Sequence, residues 1–67
     1  PDVTRIVHDI VGNNSFSVTN FSELDKLVID VTLGQINAAY RNEVEAALNE
    51  EYATYDDIVI SVTVVGN

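Results

Sequence analysis

The pattern that most restricts how this chain can fold is a strand, helix, strand succession in its second half. Leu27, Ile29, Val31 and Leu33 alternate with Val28, Asp30 and Thr32, the period-two signature of a half-buried strand, which Gly34 ends. From 35 to 53 the apolar residues Ile36, Ala39, Tyr40, Val44, Ala47 and Leu48 recur at helical intervals. Ala, Leu, Glu and Gln add helix propensity there, and Asn42, Glu45 and Asn49 fall on the wet side. Alternation returns at 58–65, where Ile58, Ile60, Val62 and Val64 stand against Val59, Ser61, Thr63 and Val65. Apolar residues in both registers predict a central strand, or an edge strand that another chain covers. Two strands joined through a helix within one sheet are expected to be parallel, with a right-handed crossover.

The first half adds a helix and a strand. Val3, Ile6, Val7, Ile10 and Val11 are spaced for a short amphipathic helix over 3–12, with Asp2 as N-cap and Gly12-Asn13-Asn14 as its stop. Its β-branched content opposes that reading and leaves a strand as the alternative. Residues 15–21, alternating around Phe16 and Val18, read as a short edge-like strand. The order is then α-β-β-α-β, an α+β two-layer sandwich with both helices on one face of the sheet. This order resembles a ferredoxin-like domain, whose pattern is βαββαβ, lacking its first strand. The resemblance implies that the strand is dispensable or that an open sheet edge accepts a strand from a second chain, and it selects no function.

Sixty-seven residues make a single domain, 1–67, because a chain this short buries only about 60% of its unfolded surface and cannot divide that between two cores. No repeat, linker or low-complexity tract interrupts it. There is no cysteine, so neither a disulfide nor a thiolate-held metal braces the core, and support must come from packing or a partner. No apolar run approaches the roughly 20 residues that cross a bilayer. No charged-then-apolar signal pattern is visible, and Pro1 fits both methionine removal and a processing boundary. Eleven acids oppose Arg5, Lys26 and Arg41, for a net charge of -8. Nucleic acid and anionic membranes both require clustered Lys and Arg, so neither is an expected partner, whereas a basic protein is favoured.

Catalytic signatures are missing. His8 is the sole imidazole and shares its helix side with Thr4 and Arg5 rather than with Asp9. Gly12, Gly34 and Gly66 stand singly at the ends of elements, as caps and turns rather than a phosphate loop. An N-terminal proline acts as general base in the tautomerase family, whose strand-helix-strand outline residues 26–65 resemble. There, however, the proline opens the first strand of the crossover unit, and Pro1 precedes a helix. No enzyme activity and no cofactor is expected.

The expected functional residues are acidic and aromatic. Glu43, Glu45, Glu50 and Glu51 on the long helix and Asp56 and Asp57 in the turn after it form an acidic face, flanked by Tyr52 and Tyr55. EF-hand spacing is absent, so these carboxylates suit a protein partner better than calcium. Tyr52 is read either as an interface anchor or as a lid closing the helix onto the core. The leading expectation is a non-catalytic interaction or assembly module that uses a sheet edge and this acidic face, in a homo-oligomer or a larger particle such as a phage virion. One alternative is an acidic inhibitor whose carboxylates replace nucleic-acid phosphates against a basic protein. Another is an extracellular module glycosylated at Asn13 or Asn20, each of which opens an N-x-S triplet.

Overall fold

The computed structural model describes residues 3–12 and 15–66. Along the chain it forms α1 (Val3–Val11), β1 (Phe16–Glu23), β2 (Lys26–Leu33), a 3-10 segment (Gln35–Tyr40), α2 (Arg41–Glu51) and β3 (Ile58–Val64). This is the α+β order expected from the sequence, resembling a ferredoxin-like domain without its first strand. The sheet has order β1-β2-β3, with β1 antiparallel and β3 parallel to β2. The split crossover of a ferredoxin-like sheet is closed up here, because β2 and β3 pair directly along their whole length.

The α1 sequence is helical despite its β-branched residues because its apolar stripe is buried. Val3 and Val7 are in the core, and Ile6, Ile10 and Val11 pack against it. Gly12 then turns into the left-handed region at φ +89° and donates its N–H to the His8 carbonyl at 2.9 Å, a helix stop that any other residue enters at a cost. The expected caps Asp2, Asn13 and Asn14 lie outside the described residues.

One face of the sheet carries the core. Ile29, Val31 and Leu33 of β2 and Val62 of β3 are buried beneath Val3 and Val7 of α1 and Val44, Leu48 and Tyr52 from α2 and its C-terminus. Both helices therefore cover the same face, as expected. Burying a Val or Leu side chain in this way stabilises by about 1.5–3 kcal/mol.

Two expectations are corrected. Of the two readings of β3, the central strand fails and the edge strand holds, since β2 is central and β3 lies at the edge. The second apolar register of β3 is not covered from above, and Val59 and Val65 are exposed. Nor is the helix continuous from 35 to 53. Residues 35–40 wind as a 3-10 helix, begun by the Asn37 N–H donating to the Gly34 carbonyl at 2.9 Å. Three residues per turn, rather than 3.6, rotate the stripe. Ile36 is thrown outward to 81% exposure, Ala39 and Tyr40 are exposed, and Asn37 is buried in their place.

Gly34 sits where the chain leaves β2. Its N–H bonds the Ser15 carbonyl, and a Cβ at this position would fall onto the Ser15 side chain and lie 2.9 Å from the Ser15 carbonyl oxygen. Only glycine lets the start of β1 pass this closely.

Candidate functional site

A strand directs its backbone N–H and C=O groups alternately toward one neighbour and the other, so register decides which groups an edge offers. The Leu27 N–H donates to the Asp57 carbonyl at 3.0 Å, and the Val65 N–H donates to the Leu33 carbonyl at 2.8 Å. With Leu27 opposite Ile58 and Leu33 opposite Val64, the odd-numbered residues of β3 bond β2. Ile58, Ile60, Val62 and Val64 consequently turn their backbone groups outward. In the β1–β2 hairpin, Glu23 and Lys26 flank a two-residue turn and form a bonded pair. By the same alternation Phe16, Val18, Asn20 and Ser22 turn theirs outward along β1.

The two edges differ in what meets them. At β3, Arg41 at the start of α2 reaches down and donates from Nε to the Val62 carbonyl oxygen at 2.9 Å. Its guanidinium is held there by Glu45, which accepts from Nη1 at 2.9 Å and from Nη2 at 3.1 Å, while Asn42 Oδ1 accepts a further bond at 3.0 Å. The fork-to-fork pair fixes the planar group in orientation as well as position. At β1 the sheet ends, and no further strand among the described residues pairs with the outward groups.

The six expected carboxylates separate into three places. Glu43, Glu50 and Glu51 are exposed on α2, and Glu45 is half-buried against Arg41. Asp56 and Asp57 are exposed in the turn before β3, where they line an open cleft of about 770 Å³ with Glu23, Asp25 and Lys26 of the hairpin end and Tyr55. The structure thus brings Glu23 and Asp25 to Asp56 and Asp57, a meeting that sequence separation conceals. Among the described residues no group of three or more His, Asp or Glu side chains is placed to hold a metal ion.

Tyr52 is 5% exposed and closes the end of α2 onto the core, with Tyr55 packed edge-on against it at 5.3 Å between ring centres. Tyr55 is itself half-exposed on the cleft. His8 is exposed on α1, with Nδ1 4.0 Å from Asp9 Oδ1, so its acidic sequence neighbour does come within reach. Asn20 is exposed in β1, whereas Pro1 and Asn13 lie outside the described residues.

Three features of this surface were missed in the sequence. Arg41 read only as one of three cations, because its link to Val62 spans 21 residues. The hairpin turn Leu24-Asp25 lacks the usual Asn-Gly signal, and both residues adopt positive φ, 50° and 66°. The third is an apolar row, Phe21 opposite Val28 opposite Val59, on the sheet face away from the helices; Phe21 and Val59 are 46% and 42% exposed. Alternating apolar residues had hinted at it, in Val28 and Val59.

Among the described residues, no helix is long and apolar enough to cross a membrane. Comparison of the chain with protein-family models, with curated proteins and with solved structures gives no match.

Proposed function

We propose that this chain is a non-catalytic protein–protein interaction module that works by self-assembly or by docking into a larger protein particle. Its contacts are a sheet edge and, separately, the acidic surface of α2 and the turn after it. The single observation that carries this reading is a three-stranded sheet whose β1 edge pairs with no further strand among the described residues, beside an apolar row exposed on the face away from the helices. A chain of this size without disulfides gains little from its core beyond the entropy cost of ordering it, and covering such surfaces is the available source of further stability. The acidic α2 surface adds preference for a basic protein.

The inhibitor alternative gains nothing by comparison. It needs all six carboxylates presented together, and Glu45 is engaged by Arg41 while the others divide between helix and cleft.

Size-exclusion chromatography with light scattering at micromolar concentration tests the proposal. A mass at or above twice the 7.3 kDa chain is expected. A folded, monodisperse monomer that also captures no basic protein would overturn it.

A further inference from the structure

We infer that the chain pairs with a second copy of itself through β1, in antiparallel fashion about Thr19, and that Arg41 and Glu45 keep β3 out of the pairing. The inference deepens the interaction-module reading and rests on it.

On sequence alone β3 would be the better template. Ile-Val-Ile-Ser-Val-Thr-Val contains no charge, proline or glycine, the composition that makes an exposed edge prone to strand addition. Yet the guanidinium of Arg41 occupies the Val62 carbonyl, in the middle of the outward row Ile58, Ile60, Val62 and Val64. An incoming strand must displace a side chain held by both oxygens of Glu45. It must also approach beneath α2, where residues 41–57 carry six acids against Arg41, a net of -5. A second copy would bring the same charge against it.

The β1 side pairs with no strand among the described residues other than β2 and carries little of that charge. Residues 3–23, to the end of β1, contain Arg5, Asp9 and Glu23 and sum to -1, so two copies approach there with little of the repulsion that a net charge of -8 imposes elsewhere. Pairing about Thr19 sets Phe16 opposite Ser22 and Val18 opposite Asn20, four residues whose backbone groups all face outward. Opposed residues then match in face, both sets of helices lie on the same side, and a continuous six-stranded sheet results. The exposed Phe21 falls opposite the partner's Ser17, and Thr19 meets its own symmetry mate. No like charges are opposed.

Analytical ultracentrifugation and circular dichroism of three variants test the inference. Asn20→Pro removes an N–H that faces away from β2 and leaves the hairpin ladder intact, a placement that edge strands tolerate. Thr19→Lys sets two ammonium groups against each other on the symmetry axis while meeting Asp30 within its own chain. Each should keep the wild-type spectrum and weaken dimerisation at least about tenfold, the effect of roughly 1.4 kcal/mol. Arg41→Ala should turn dimers into concentration-dependent higher oligomers by freeing the second edge. A wild-type dimer untouched by both β1 variants would overturn the assignment of the edge and leave the module reading standing. A strictly monomeric wild type would overturn self-pairing altogether, and capture of a basic protein would then decide the module reading. If Arg41→Ala remains a dimer, the guarding role of Arg41 is wrong.

Discussion

The two edges of one small sheet present opposite solutions to the same problem. β1 is polar, with Ser17, Thr19, Asn20 and Ser22 diluting Phe16, Val18 and Phe21, and its outward backbone groups pair with no strand among the described residues. β3 is almost wholly Val and Ile, and its middle carbonyl is covered by Arg41. The stickier strand is the one with the cover. An edge therefore cannot be ranked as a docking site by side-chain hydrophobicity alone, because the unsatisfied backbone and the charge around it decide access.

That contrast can be broken most completely from the strand both edges share. Leu33→Ala should cost about 2–5 kcal/mol through a cavity beneath the fully buried β2 side chain. A domain of this size holds a comparable reserve, so chemical denaturation should find the variant largely unfolded and both edges lost. A subtler change separates the cover from the strand. Glu45→Gln leaves Arg41 in place but weakens its fork, and light scattering should detect β3-mediated association intermediate between wild type and Arg41→Ala. At the hairpin, Leu24→Asn with Asp25→Gly suits the positive φ angles of the turn better. It should raise stability by about 1 kcal/mol, or some 4–8 °C in Tm by calorimetry, without altering the dimer. The smallest expected response is to salt. Pairing through the weakly charged β1 side should change by no more than about twofold between 50 and 500 mM NaCl, whereas pairing through the acidic β3 side would strengthen severalfold as repulsion is screened.

Much of this fold was legible. The alternation of Leu27 to Leu33 and of Ile58 to Val64, and the helical spacing of Val3 to Val11 and of Val44 to Leu48, report directly on which side chains are buried. The position of β3 in the sheet was not, because apolar residues in both registers look alike whether the second face is covered or left open, as at Val59. The 3-10 winding was hidden for a related reason: Ile36 and Tyr40 satisfy a helical spacing that the chain does not use there. At the site, the exposed acids were readable as acids, but not their division into three groups, since that depends on the hairpin end reaching Asp56 and on Arg41 reaching Val62. Interactions spanning 20 or more residues leave no local trace.

The direct parallel pairing of β2 with β3 also bears on the order in which the molecule assembles. The hairpin's rungs span 3 residues at Glu23–Lys26 to 17 at Phe16–Leu33, whereas each β2–β3 rung spans 31, as at Thr32 and Thr63. Each doubling of span costs about 0.6 kcal/mol in loop closure, so the hairpin turn is expected to close first and β3 to join as the segment between β2 and β3 forms. That segment is α2, the helix that carries Arg41. The most association-prone strand of the chain therefore acquires its cover in the same step that places it in the sheet, and a mutation that delayed α2 would expose β3 during folding even if the finished structure were unchanged.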